Sequence, residues 1–278
     1  MSNNYRQIDL NCDLAQAWGP YKHKNEEALL PFVSTVNIAC GGHSGDPPNI
    51  LKALILAKQN KLAVGAHIGY PDLNNFGRRE LKLDQDELLA YISSQLGLLA
   101  AISKSQNIEI THFRPHGALY YKCASDTVFA EQLAKIVSSF SRWLTFIGPA
   151  GNYLNAISDV SGLKVAGEIH LDKFYRRDGT LSKASLDENV NFDFALNQAH
   201  SAIWQGKLLV EGGRYIRLPF KTIHLNMNKT YSLDLAKEVF NLLNQSPESL
   251  ESRNINFQIS DLMKSFKTDK SRSLAFYE

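Results

Sequence analysis

The chain has 278 residues, 44% hydrophobic and 21% charged, with a formal charge of +2. That length is enough for one substantial core and is common among α/β barrels. The near-average composition excludes a disordered or fibrous chain, and so small a charge gives no concentrated field for nucleic acid or a membrane surface.

The first residues, Met1 to Gln7, are polar and carry no secretory h-region. No apolar stretch approaches the roughly 18 residues that a membrane span requires. Cys12, Cys40 and Cys123 are widely spaced and odd in number, which argues against a disulfide framework or a cysteine-cluster zinc site. A soluble, cytoplasmic protein acting on a small molecule is expected.

In chain order, β-rich runs alternate with segments of helical periodicity. A first strand is predicted at Arg6–Asn11 and a second at Val33–Ala39. Pro47-Pro48 then opens a helix carrying Leu51, Leu54, Ile55 and Ala57, proline being well tolerated in a first turn. A strand at Leu62–Ala66 precedes a helix beginning at Asp84, where Glu87 three residues on has capping-box spacing. Leu88, Ile92, Leu96 and Leu99 follow at helical intervals. Further strands are expected at Glu109–Phe113, Leu144–Ile147, Leu163–Gly167 and Arg217–Leu225, and further helices at Val128–Ser138, Phe192–Gln205 and Leu233–Leu243.

Several of these strands are continuously apolar, as parallel strands covered on both faces are. About seven alternations without a break in composition predict a single barrel or doubly wound sheet over residues 1–245. Ser, Glu, Asn and Lys dominate after that, so 246–278 is expected to be a polar C-terminal appendage with a short helix near Ile259–Phe266.

In such folds the loops after the strand C-termini carry the chemistry. The residues there are Asn11 and Asp13 after the first strand, His43 and Asp46 after the second, His67 after the third, His116 after the fourth, and Glu168, Asp172 and Lys173 near the sixth. His43, His67 and His116 recur at three strand ends, each close to glycine, which allows tight turns and close backbone approach. A shared polar pocket explains this better than three separate structural histidines. Asp13, His43 and His67 have the ligand types of a divalent metal with an open position, and equally those of a general acid–base pair. Asp46 also suits a cap for the helix at Pro47. Arg78 or Arg79 could hold a carboxylate. Neither G-x-x-x-x-G-K-[ST] nor G-x-G-x-x-G occurs, so Gly41-Gly42 and Gly212-Gly213 form no standard nucleotide loop.

These stretches resemble the LamB/YcsF family. The matching motifs are DLNCDL (Asp9–Leu14), NIACGGHSGDP (Asn37–Pro47), GAHIGYPDL with FGRRE (Gly65–Glu80), RPHGALY (Arg114–Tyr120) and E-x-x-x-D-K-x-Y (Glu168–Tyr175). The resemblance implies a deformed seven-stranded (β/α) barrel, similar to the polysaccharide-deacetylase-like barrels. It further implies the A-subunit role in ATP-dependent 5-oxoprolinase, which opens 5-oxoproline to L-glutamate. Two partner subunits would activate the lactam by phosphorylation, and the ATP consumed would be bound by this chain or by those partners. By the same resemblance Asp13, His43, His67, His116, Glu168 and Asp172 are catalytic. Asn11, Asp46, Arg78 and Lys173 are expected to hold the substrate.

The chain departs from the family pattern at three places. Leu14-Ala15-Gln16-Ala17 stands where the family has an L-G-E-G type of sequence, so a carboxylate becomes the amide of Gln16. Lys173 replaces an arginine. Asn226-Met227-Asn228 replaces a His-Gly-Asp turn, and His224, two residues earlier on the same strand face, is expected to sit too deep to substitute. Three functions therefore fit the residues: the A-subunit role in 5-oxoprolinase, a divalent-metal-dependent amide or acetyl hydrolase on the same barrel, and a catalytically weakened binding or complex-forming homologue.

Overall fold

The structure, a computed structural model, describes residues 8–19, 26–182 and 190–244. Seven parallel strands close into a barrel: β1 (Asp9–Leu14), β2 (Thr35–Ala39), β3 (Ala63–Ile68), β4 (Ile110–Pro115), β5 (Thr145–Pro149), β6 (Lys164–His170) and, after the two-stranded hairpin described below, β9 (Thr222–His224). The last strand closes the ring by pairing with both β6 and β1, so that Thr222 lies opposite Glu168 on one side and Asp9 on the other. The seven-stranded (β/α) barrel implied by the motifs is the fold. The expected polar tail, 246–278, and its helix lie outside the described residues.

Helices cover the barrel. Asp46 caps α1 (Pro47–Gln59) by accepting the Asn49 N–H at 3.0 Å. α2 (Gln85–Ser105) begins with the expected reciprocal box, in which Asp84 accepts from Glu87 N at 2.8 Å and Glu87 from Asp84 N at 3.0 Å. α3 (Gly117–Ser125) and α4 (Thr127–Phe140) follow β4, α5 (Tyr153–Ser161) follows β5, and α6 (Phe192–Gln205) and α7 (Ser232–Asn244) flank the closing strand. Leu54, Leu96, Leu99, Leu133, Val137 and Ile157 pack against Val36, Ile38, Ala66 and Phe113, so the apolar core is the layer between strands and helices. Cys12, Cys40 and Cys123 are buried in that layer as free thiols. Among the described residues no helix is long and apolar enough to cross a membrane.

Helices α3 and α5 were not anticipated from the sequence, and two further features differ from that expectation. The run Arg217–Leu225 is not one strand. Its first residue ends β8 (Arg214–Arg217), which pairs antiparallel with β7 (Lys207–Val210), and only Thr222–His224 joins the barrel. Gly212 and Gly213, both at positive φ, make the hairpin turn. Pro219, which has no N–H to give a ladder, separates the two pieces.

The second difference is the barrel interior, which is polar, whereas several of the strands were expected to be continuously apolar. In β1 Leu10, Cys12 and Leu14 enter the apolar layer, while Asp9, Asn11 and Asp13 hydrogen-bond across the barrel. Asn37 of β2, His112 and Arg114 of β4, Glu168 and His170 of β6, and Thr222 and His224 of β9 are likewise buried and joined to this interior network. Period-two alternation thus separates an apolar outer face from a polar inner one. Gly65 makes room for it: a Cβ there would stand 2.0 Å from His112 Nε2.

Candidate active site

Asp9 anchors the base of the polar column by accepting hydrogen bonds from Ser34, Thr35 and Thr222. Above it, Asn11 donates to Thr222 Oγ1 at 2.6 Å and to Glu168 Oε2 at 3.0 Å, and its carbonyl accepts from Asn37 at 2.8 Å and His224 Nδ1 at 2.9 Å. Buried amides are used here as fixed spacers, since each is stable only when its donors and acceptor are all matched.

The charged centre comes next. The Arg114 guanidinium donates to Glu168 through Nη2 at 2.7 Å and through Nε at 2.8 Å, while Nη1 reaches Asp13 Oδ1 at 3.3 Å. Its carbon stands 5.0 Å over the Tyr120 ring. Burial raises the proton affinity of Asp13, but His67, Arg114 and His224 outweigh it and hold the carboxyl well below its ordinary range. Glu168 follows the same logic, with Arg114 and a hydrogen bond from His170 overcoming burial. Both carboxylates are therefore ionised at neutral pH.

At the C-terminal mouth lie the three histidines. His67 Nδ1 faces the Arg114 carbonyl at 3.2 Å, and its Nε2 stands 3.2 Å from Asp13 Oδ2 and 2.9 Å from His116 Nδ1. His116 donates through Nε2 to the Phe76 carbonyl at 2.8 Å. His43 stacks on His116, with ring centroids 3.7 Å apart and 6° between planes, and neither of its nitrogens has a hydrogen-bond partner although the residue is only 1% exposed. Burial, then neighbouring imidazoles, push His43 and His116 well below the usual histidine range, so both stay neutral. Gly77, at φ 64°, permits this stack, because a Cβ there would stand 2.8 Å from His43 Cβ and 3.0 Å from His116 Cδ2.

Asn11, Asp13, His43, His67, His116 and Glu168 thus converge on the barrel interior and its mouth. Asp172 is buried at the rim, accepting from Asn226 Nδ2 at 2.9 Å, with its other oxygen unpartnered. Lys173 beside it is half-buried. Arg78 is exposed on the loop, its guanidinium carbon 5.5 Å from the Phe76 ring centroid, and that ring packs against His43 and His116. Asp46 stands apart from the cluster: Oδ1 serves the cap of α1 and Oδ2 accepts from Gly19 N.

Sequence reasoning did not single out Arg114, Asn37, His112 or His170. Strand alternation was the available signal, since each lies two residues from another inward-facing position or opposite one across a strand pair. His224 is also nearer than expected, its Nε2 3.6 Å from Asp13 Oδ2. Burial and Arg114 depress its pKa to about 3.

The altered first motif has its own support. Gln16 donates to Asp13 Oδ2 at 3.2 Å, so the amide braces the carboxylate. The turn is held from below by Glu26, whose carboxylate accepts the N–H groups of Ala15 at 2.9 Å and Gln16 at 3.0 Å, with Ala15 at φ 59°. Burial raises the Glu26 pKa to about 7 against those two hydrogen bonds. The native state therefore binds its proton more tightly than the unfolded chain does. Stability from this group is greatest at low pH and is lost as pH rises between the unfolded value of 4.5 and about 7. Glu26→Gln, which cannot titrate, is expected to gain on the wild type through that window by at most about 1.4 kcal/mol per pH unit. Urea unfolding at pH 5 and pH 8 checks it, and parallel curves would refute the assignment.

The LamB/YcsF family matches residues 8–256 of this chain. A Staphylococcus epidermidis protein named as the A subunit of 5-oxoprolinase is 35% identical over 248 residues, covering 88% of this chain and 98% of that one. Its namesake from Chloroflexus aurantiacus is 39% identical over 218 residues, covering 78% and 86%. Among solved structures, the lactam utilization protein from Thermus thermophilus superposes with a TM-score of 0.79 at 32% identity, covering 86% of this chain and 96% of that one. With its motifs in order around one barrel and these relatives matching nearly end to end, the chain belongs to the LamB/YcsF family.

Proposed function

We propose that this chain plays the A-subunit role in an ATP-consuming 5-oxoprolinase and that it opens the lactam of 5-oxoproline to give L-glutamate. The carrying observation is the buried group of ionised Asp13, neutral His43 and His116, and His67 between them at the C-terminal mouth of the barrel. The names of the relatives, which specify 5-oxoprolinase and lactam utilization, support the substrate class.

Opening the ring requires a water oxygen to add to the lactam carbonyl carbon, the ring C–N bond to break, and the nitrogen to gain a proton. His43 is suited to move that proton. It is neutral, buried and unpartnered, so it can accept from water and return the proton to the departing nitrogen. Asp13, braced by Gln16, Asn37 and Arg114, stands beside His67 Nε2, which in turn faces His116. Arg78 on the rim supplies a guanidinium for the substrate carboxylate. ATP enters through the partner subunits, whose role is to make the lactam carbonyl electrophilic.

The departures from the family pattern fit this reading. Gln16 and Asn226 both donate to carboxylates of the site, Asp13 and Asp172, so the replaced groups still hold their neighbours. The test is reconstitution with the partner subunits of an active relative, following glutamate release from 5-oxoproline with ATP. Turnover is the expected result. Tight calorimetric binding of 5-oxoproline with no glutamate, while the intact relative turns over alongside, would replace the enzyme by a binding homologue.

A further inference from the structure

We infer that His67, His116, Asp13 and His43 form a binding site for a first-row divalent transition-metal ion. The inference is independent of the lactam being the substrate.

The first observation is a conflict of lone pairs. His67 Nδ1 lies 3.2 Å from the Arg114 carbonyl, and His116 Nε2 lies 2.8 Å from the Phe76 carbonyl. A carbonyl oxygen only accepts, so both of those nitrogens carry the hydrogen. In neutral rings this leaves lone pairs on His67 Nε2 and His116 Nδ1, and these atoms face each other at 2.9 Å. Asp13 Oδ2, another acceptor, stands 3.2 Å from the same His67 Nε2. Three lone-pair atoms thus converge with only the Arg114 Nη1 hydrogen, 3.4 Å from His67 Nε2, to offset their repulsion, an arrangement that a metal cation among them relieves.

The spacing fits such a cation. Two donors bound at about 2.0–2.1 Å stand about 2.9–3.4 Å apart when the angle between them is about 90–110°. The 2.9 and 3.2 Å separations are edges of that kind of polyhedron. The outer arrangement fits as well, because metal-bound imidazoles characteristically give their other N–H to a backbone carbonyl, which fixes tautomer and ring. Here two of the three do so.

His43 adds a second observation. It is 1% exposed with both nitrogens unpartnered, and one nitrogen from each of the three histidines lies within 4.8 Å of the others. An imidazole that loses its water without a partner is costly, and a metal bond removes that cost.

Charge completes the case. The buried carboxylates Asp13 and Glu168 share one guanidinium, Arg114, so the centre has an excess of one negative charge when its imidazoles are neutral. Imidazole with carboxylate suits Zn, Co, Ni, Fe or Mn, and disfavours Mg and Ca.

The alternative is a second proton on His67, shared with Asp13 and His116. It would resolve the lone pairs, but it adds a cation whose Nε2 lies 3.4 Å from Arg114 Nη1 and leaves His43 still unpartnered.

The experiment is metal binding by the intact chain, with no substrate present. After chelator treatment and exchange into Zn2+ or Co2+, about one ion per chain is expected to survive gel filtration. Co2+ is expected to give visible ligand-field absorption, and both ions to raise the melting temperature. His67→Gln and His116→Gln should each lower affinity about a hundredfold or more, with far-UV circular dichroism confirming that they fold. Asp46→Ala should bind like wild type, since Asp46 caps α1 outside the cluster. Folded wild type that retains no ion and shows no Co2+ absorption overturns the site in favour of the shared proton. Binding unchanged in both histidine variants overturns it by placing the ion elsewhere. An ion-bound His43 could not also carry the proton assigned to it above, but ion retention is read without turnover, so this inference and the 5-oxoprolinase reading fail separately.

Discussion

Asp13→Asn is expected to reduce glutamate release by about a thousandfold, mostly in kcat, while leaving a folded protein. Loss of a positioned acid–base group costs roughly 10²–10⁴ in rate, and Asp13 positions more than itself. Its Oδ1 accepts from Asn37 at 3.0 Å and Arg114 at 3.3 Å, while Oδ2 accepts from Gln16 at 3.2 Å and stands 3.2 Å from His67 Nε2. An asparagine presents an NH2 to one of those two sets whichever way it is turned. It either faces the two donors Asn37 and Arg114 or turns its NH2 against the donor Gln16. The reconstituted assay reads the loss directly. Asp46→Ala is the comparison: it removes a helix cap, which costs about 1 kcal/mol of stability, and turnover should persist. Equal losses in the two variants would mean that the cluster is not the reacting centre.

Arg114→Met should be the most destabilising single change in the site, by about 3–5 kcal/mol in urea unfolding. Methionine approximates the length of the stem but leaves Glu168, whose side chain is 0% exposed, without the guanidinium and with only Asn11 and His170 beside it. It also removes the support of Asp13 and the cation over Tyr120. The cost is that of an orphaned buried ion, not the intrinsic worth of the pair. Arg114→Met combined with Glu168→Gln should therefore recover a good part of the stability, though no activity. A single variant costing under about 1 kcal/mol, or a double variant no more stable than the single, would show that Glu168 tolerates isolation.

Much of the fold follows from local chemistry that can be read along the chain. The Asp84/Glu87 box, the Pro47-Pro48 opening and the β–α alternation are short-range features, settled within a few residues. Among the described residues they placed five of the seven α-helices and most strands near their observed positions, missing α3 and α5. The hairpin β7–β8 was missed because its pairing is a choice between partners. The run Arg217–Leu225 has β propensity throughout, and only the register of Arg214–Arg217 against Lys207–Val210 shows where one strand ends.

By itself, the sequence determined that three histidines and an aspartate stand at consecutive strand ends and that glycines beside them allow close approach. Those are facts of order and residue type. Only the tertiary structure decided which polar residues share the interior. Barrel closure brings Arg114 of β4 between Glu168 of β6 and Asp13 of β1, 54 and 101 residues away in the chain. It also brings His224 to Asn11 across the β1–β9 seam, 213 residues apart. It leaves Asp46 capping its own helix, where Oδ1 accepts from Asn49 N and Asn49 Nδ2. The physical reason is range. Capping, turns and alternation are decided by neighbours in sequence, whereas the charge, protonation and lone-pair pattern of a buried centre depends on which strands meet when the barrel closes.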